Sequence, residues 1–129
     1  MIVGNNFETP TLKPLYWVGS SKAALIGFPE LVRKEMGYAL YLAQAGEKPQ
    51  KAKPLHGFGG AGVLELVENH EGNTYRAVYT VKFAEAVFVL HAFQKKSKKG
   101  IATPRSEIEL VKQRLKAATD SYRQLHESK

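Results

Sequence analysis

Aromatic and β-branched residues near the start of the chain predict a short strand that leads into a helix. The segment Lys13–Val18 has this strand-like composition, and the early Pro14 favours a position at the edge of a sheet. Ser20 and Ser21 follow, and because serine commonly caps helices, a helix is predicted from Lys22. The folded part of the chain is therefore expected to begin with a strand and a helix.

The helical spacing of apolar residues predicts a second helix directly after the first. Pro29 suits the first turn because its φ angle is already helical, and Glu30 is placed well for the helix macrodipole. Gly46 is a natural stop. The apolar residues at helical spacing are Val32, Met36, Ala39, Leu40 and Ala43.

Three strands are predicted in the middle of the chain. Gly62–Asn69 and Thr74–Val81 flank His70–Asn73, whose glycine and asparagine readily take positive φ angles, so this region is predicted to be a hairpin. Val87–Phe93 is apolar at every position except His91, which predicts a strand covered on both faces. We therefore expect this strand to be central in the sheet.

A closing helix completes the predicted order. Thr103 and Pro104 offer a cap and a preset first turn. The order is β-α-α-β-β-β-α, which predicts one α+β domain over residues 13–129, preceded by a polar, flexible arm over residues 1–12. The apolar stripe of the helix consists of Ile108, Val111, Leu115, Ala118, Tyr122 and Leu125.

Composition limits the class of protein. The chain has 129 residues, 43% of them hydrophobic and 24% charged, which is usual for one globular domain. It contains no cysteine, which excludes disulfides and thiolate metal ligands. No apolar run suits a signal peptide or a membrane span, so we expect a cytoplasmic protein without a membrane partner.

The excess of positive charge is concentrated at the end of the chain. Residues 1–93 carry nine basic and eight acidic side chains, whereas residues 94–129 carry ten basic and four acidic ones. A solvated helix face with a basic tail is one explanation. The other is a surface that contacts a polyanion or an acidic protein.

Several short motifs, taken together, resemble a known family. Their types and order are similar to the phage-derived, HigB-type branch of the RelE/ParE toxin superfamily, over roughly residues 13–118 of this chain. The motifs are Trp17–Ser21, Phe28–Glu30, Gly37–Leu40, Tyr75–Tyr79, Leu90–Lys96 and Thr103–Pro104.

The resemblance implies a RelE/ParE-like α+β fold, in which helices pack on a small, twisted, largely antiparallel sheet. It also implies the toxin of a type II toxin–antitoxin pair, a metal-free endoribonuclease that cleaves mRNA on the translating ribosome and so inhibits translation. The expected partners are the ribosome, mRNA and an acidic antitoxin, expected to be a helix-turn-helix protein. Members of the similar ParE branch poison DNA gyrase instead, so the fold alone does not identify the target.

Metal-free RNA cleavage by the 2′-hydroxyl needs a base, an acid and cations that stabilise the charge developing on phosphate. Arg76 can bind phosphate with paired donors, and His91 and His56 can exchange protons near neutral pH. Each has a structural alternative. Arg76 fits the polar face of a strand, His91 fits a hydrogen-bonded core residue, and His56 lies beside a flexible, glycine-rich loop.

Lysines before and after the predicted sheet are candidate phosphate ligands. Lys51 and Lys53 lie on the loop where RelE-like enzymes carry functional basic residues, and a second group follows the strand of His91. The histidines lack zinc-ligand spacing and no acidic cluster suggests magnesium, so no metal and no cofactor are expected. The candidate ligands are Lys51, Lys53, Lys95, Lys96, Lys98 and Lys99.

One position departs from the family pattern. Family members commonly have Glu-Leu-Arg in the second strand, whereas this chain has Glu65, Leu66 and Val67. The replacement removes one cation expected near the phosphate. Three hypotheses remain, namely a ribosome-dependent endoribonuclease, a gyrase-directed toxin, and a non-catalytic phage-derived module that binds RNA or protein.

Overall fold

A five-stranded mixed sheet is the centre of the computed structural model, which describes residues 11–60, 62–95 and 103–127. The strand order across the sheet is β1-β5-β4-β3-β2. All neighbouring pairs are antiparallel except β1 and β5, which are parallel. The strands are β1 (Leu15–Trp17), β2 (Lys53–Pro54), β3 (Val63–His70), β4 (Asn73–Thr80) and β5 (Val87–Lys95).

Helices cover both faces of this sheet. Two of them follow β1, α1 over Ser21–Ile26 and α2 over Glu30–Gln44, and their buried side chains share a core with one sheet face. The third, α3 over Arg105–Glu127, packs on the opposite face and buries Val111 and Ala118 there. Within the described residues, none of the helices combines the length and apolar character needed to cross a membrane.

The predicted α+β fold is confirmed, with one additional strand. The two-residue β2 pairs Lys53 with Glu65 at the edge of the sheet. A segment this short leaves no alternation of apolar and polar residues to recognise, which explains why it was predicted to be part of a loop. The interior position predicted for β5 is also observed, since Val87–Ala92 is buried throughout between β1 and β4.

The hairpin between β3 and β4 forms where it was predicted, but with different turn residues. Positive φ angles occur at Glu71 (48°) and Gly72 (81°), as in a type I′ turn, whereas Asn73 already belongs to β4. The preference for asparagine at positive φ was therefore assigned to the wrong position. His70 pairs directly with Asn73, which makes this a two-residue turn.

A bulge in β5 decides which way its histidine points. Val78 pairs with His91, whereas the next residue, Tyr79, pairs with Val89, so Leu90 is an extra residue in β5. Leu90 joins the core under α3, and His91 also contacts α3, so two consecutive side chains share one face. Without the bulge, strict alternation would place His91 on the face covered by α1 and α2.

Two predictions about the helices are wrong in detail. Ser20 occupies the N-cap position of α1 as predicted, but neither serine caps the helix with its side chain, since the Ser21 hydroxyl donates to the Val89 carbonyl (3.2 Å) and the Ser20 hydroxyl accepts from Arg114 (3.2 Å). Leu125 was expected in the apolar stripe of α3 but is 45% exposed. Both serines instead connect the start of α1 to its neighbours.

Candidate functional site

Polar and charged side chains from three strands and from the region where α3 begins meet on the sheet face that α3 covers. Residues directly opposite in antiparallel strands share a face, and Arg76 pairs with Phe93 while Val78 pairs with His91. Arg76 and His91 are therefore diagonal neighbours on one face. We use the name polar patch for Glu65, Arg76, His91, Thr103 and Glu107.

Arg76 forms a buried ion pair at one end of the polar patch. Its Nη1 atom lies 2.9 Å from Oε2 of Glu65, and the two side chains are only 3% and 12% exposed. The Thr103 hydroxyl accepts a hydrogen bond from the same Nη1 (3.3 Å) and donates to Glu65. A carboxylate therefore already occupies donors of Arg76 that the sequence predicted to bind phosphate.

His91 is hydrogen-bonded through both ring nitrogens at the other end of the polar patch. Nε2 lies 2.6 Å from Oε1 of Glu107, and Nδ1 lies 3.3 Å from Nη1 of Arg114. Because arginine can only donate, Nδ1 must accept, and the ring proton is inferred to lie on Nε2 and point at Glu107. The ring of His91 also stacks on Phe93, with centroids 4.8 Å apart.

Arg114 connects the polar patch to the start of α1. Besides His91, its Nη1 donates to the Leu90 carbonyl (3.0 Å), and its Nη2 donates to the Ser20 hydroxyl (3.2 Å). The guanidinium lies against Gly19, where a Cβ atom would come within 2.9 Å of it. Gly19 also has a φ of +57°, so it provides both the turn and the space that Arg114 requires.

We predict that Gly19→Ala destabilises the protein by roughly 1–3 kcal/mol, because the new methyl group strains the backbone and displaces Arg114. Gly37→Ala is the matched control. Gly37 lies inside α2 with no atom within 4 Å of an added Cβ, so alanine should stabilise by about 0.5–1 kcal/mol there. Urea unfolding of both variants measures these changes. Equal effects of the two substitutions would contradict the role assigned to Gly19.

The structure separates the two lysines that precede the sheet. Lys53 is exposed and pairs with Glu65 across the strands, so it borders the polar patch. Lys51 instead forms an ion pair with Glu68 (3.1 Å) beside α2, and lines a groove there with Met36 and Leu66. Lys51 and Lys53 are therefore on opposite faces of the sheet and do not form one phosphate site.

The remaining predicted residues are only partly placed. Lys95, the last residue of β5, pairs with Thr74 and thus lies on the same face as Arg76. His56 is exposed in the loop after β2. Their roles in phosphate binding and proton transfer stay predictions. Three further candidates lie outside the described residues, and these are Lys96, Lys98 and Lys99.

Three residues of the site were missed by sequence reasoning, namely Glu65, Glu107 and Arg114. A signal for two of them exists in α3. Glu107 and Arg114 are seven residues apart, with the fully buried Val111 between them, so all three lie on the helix side that faces the sheet. A charged residue within such a stripe indicates a buried polar contact. In the described part of the chain, no group of three or more His, Asp or Glu side chains is placed to hold a metal ion.

The fold and the polar patch define a small α+β protein with a charged sheet face beneath its last helix. The particular family follows from the sequence. A family model described as "Phage derived protein Gp49-like (DUF891)" matches residues 23–116, and the chain belongs to this family. This result confirms the predicted relationship to a phage-derived family.

Two further comparisons describe the similarity of this chain to known proteins. The comparison with curated proteins gives no significant match. Among solved structures, the chain is similar to the crystal structure of the toxin–antitoxin complex RelBE2 from Mycobacterium tuberculosis, with a TM-score of 0.45 and 15% identity. That similarity covers 70% of this chain and 99% of the other.

Proposed function

We propose that this protein is the toxin of a type II toxin–antitoxin pair and that it cleaves mRNA on the ribosome without a metal ion. The observation that carries the proposal is membership of the Gp49-like family across residues 23–116. Those residues include most of the motifs that resemble HigB-type toxins. The family match and the motif resemblance therefore support the same proposal.

Positively charged residues that border the polar patch support an RNA substrate. Lys53 borders the patch at the sheet edge, and Lys95 borders it at the end of β5. Arg76 is in β4, which lies between β2 and β5 in the sheet, and it forms an ion pair with Glu65. An approaching phosphate would meet the two lysines first and then compete with the Glu65 carboxylate for the guanidinium, which is a strong bidentate ligand for either anion.

A binding-only module is the second candidate, and one observation favours it. Val67 pairs directly with Arg76 across the hairpin, so the arginine common in the family at that position would have stood beside Arg76. Without it, a phosphate in the patch has one cation fewer. A protein of this kind would bind RNA or protein partners and leave mRNA intact. A gyrase-directed toxin remains a further alternative, expected to inhibit supercoiling.

Primer extension on mRNA in a translating extract tests the proposal. We expect cuts that require both the protein and translating ribosomes. Lys53→Ala combined with Lys95→Ala should reduce cutting about tenfold or more, since two phosphate contacts are lost. Lys22→Ala is the matched control, because this exposed lysine lies on α1 at the other sheet face, and it should cut normally. Intact mRNA with the wild-type protein would contradict the endoribonuclease proposal.

The proposed partners follow from the same assignment. An acidic antitoxin, expected to be a helix-turn-helix protein, would bind the basic surface of the toxin and block access to mRNA, and the toxin would act in the cytoplasm, where ribosomes are. The net charge of +7 supports an acidic partner because opposite charges accelerate and strengthen association. Co-expression with the neighbouring reading frame should restore the growth of cells that express this toxin, if that frame encodes the antitoxin.

A further inference from the structure

We propose that Glu107 is the general base that accepts the proton of the attacking 2′-hydroxyl, that His91 is a positioning residue that orients its carboxylate, and that Arg114 is a positioning residue that acts through His91. The inference rests on the proposed endoribonuclease function and deepens it. It also revises the role of His91, which the sequence predicted to exchange the proton itself.

His91 is poorly arranged to act as a base. Its Nδ1 accepts from Arg114 at 3.3 Å and its Nε2 faces Glu107 at 2.6 Å, so no ring lone pair remains for a substrate proton. Protonating Nδ1 would place two donors against each other. The ring is also buried, with 8% exposure. In this arrangement His91 donates to Glu107 and fixes the direction of its carboxylate.

Glu107 has the features that His91 lacks. Its Oε1 atom accepts from His91, while the side chain as a whole remains 30% exposed, so the carboxylate is both oriented and accessible to solvent. A carboxylate held by one hydrogen bond keeps further lone pairs that can accept a proton. Carboxylates of Asp and Glu are established general bases when they are positioned beside the reacting hydroxyl.

The position of Glu107 places it beside the proposed phosphate ligands. It lies in the first turn of α3, four residues after Thr103, which bonds to Arg76. Its partner His91 is the diagonal neighbour of Arg76 on the sheet. The carboxylate and the guanidinium therefore border one patch, which is the arrangement that attack of a hydroxyl on a neighbouring phosphate requires.

The proposed step balances without a further reactant. The 2′-oxygen forms a bond to phosphorus while its proton passes to Glu107, and the bond between phosphorus and the 5′-oxygen breaks. The products are a 2′,3′-cyclic phosphate and a 5′-hydroxyl. The leaving 5′-oxygen takes a proton from water, and the resulting hydroxide takes the proton that Glu107 holds, which restores the carboxylate.

Glu107→Gln is the direct test, measured as the rate of ribosome-dependent mRNA cutting. Glutamine keeps the length of the side chain and an oxygen that accepts from His91, but it cannot accept a proton. We expect the rate to fall about 100-fold or more, with unchanged thermal unfolding. Glu107→Asp, which keeps a carboxylate on a shorter stem, should retain more of the rate than Glu107→Gln.

Glu109→Gln is the matched control. Glu109 lies two residues further along α3, is 58% exposed, and faces Lys112 at 3.8 Å, so the same loss of charge should leave the rate within about twofold of wild type. A folded Glu107→Gln protein that cuts at the wild-type rate would overturn the assignment of the base alone. If the wild-type protein itself leaves mRNA uncut, the proposed function and this inference both fail.

Arg114→Lys tests the positioning roles. Lysine keeps the positive charge near His91 but cannot reproduce the contacts of the guanidinium to His91, Leu90 and Ser20. We expect the maximal rate to fall while the apparent affinity for mRNA-loaded ribosomes is unchanged. A reduced affinity with an unchanged maximal rate would show that Arg114 binds RNA and would contradict a positioning role.

Discussion

Replacing Glu65 with alanine is expected to lower the free energy of unfolding by about 3–5 kcal/mol, because the substitution leaves the Arg76 guanidinium charged and buried. Both side chains are nearly inaccessible, at 3% for Arg76 and 12% for Glu65. Water therefore cannot replace the carboxylate without opening the contact between Thr103 and β4. Chemical unfolding of the variant and the wild type in the same buffer measures the difference.

Two comparisons separate the loss of the partner from the loss of a charge. Lys34→Ala removes one member of an exposed ion pair, whose side chains are 70% and 68% exposed, and should cost less than about 1 kcal/mol. Glu65→Leu combined with Arg76→Met removes both charges and should lie much closer to wild type than Glu65→Ala. A loss below 1 kcal/mol for Glu65→Ala would show that water reaches Arg76.

Because of this ion pair, a loss of function after substitution of Arg76 does not by itself show that Arg76 binds phosphate. Arg76→Ala leaves Glu65 without its main cation, so a loss of toxicity in that variant could arise from instability alone. The exposed Lys53 and the half-buried Lys95 give a cleaner test of phosphate binding. Stability measurements must therefore accompany any substitution at Arg76.

The sequence predicted the longer helices and strands well because each of them carries its own periodic signal. Helical spacing located α2, and the unbroken apolar run located β5 as an interior strand. The bulge at Leu90 carries no such signal, since it arises from how β5 pairs with β4. The direction of His91 depends on that pairing and could not be read from alternation alone.

The candidate site was predicted less completely because its contacts join distant parts of the chain. Arg76 was expected to bind phosphate, with the polar face of a strand as the alternative, but its contact with Thr103 and its buried ion pair with Glu65 depend on tertiary packing. Lys51 and Lys53 are two residues apart, which would place them on one face of a regular strand. The strand begins only at Lys53, so the alternation of side chains along a strand does not apply to Lys51.

Tyr79 presents a different kind of buried polar group. Its side chain is fully buried in the core beneath α1 and α2, and its hydroxyl has no hydrogen-bond partner among the described residues. Burial disfavours the charged phenolate and raises the pKa of Tyr79 to about 12. Tyr79→Phe removes this hydroxyl without changing the shape of the ring, so it should be neutral or stabilising by up to about 1 kcal/mol at pH 7.

The raised pKa of Tyr79 predicts a loss of stability at alkaline pH. In the unfolded chain the phenol loses its proton near pH 10, whereas in the folded protein it does so near pH 12. Between these values the unfolded state binds fewer protons, so the free energy of unfolding falls as pH rises, by about 2–3 kcal/mol in total. Unfolding measured from pH 9 to pH 12 in wild type and Tyr79→Phe isolates this contribution, because other groups titrate in both. The difference between the two proteins should grow in favour of phenylalanine by that amount, and a constant difference across the range would contradict the burial of the hydroxyl.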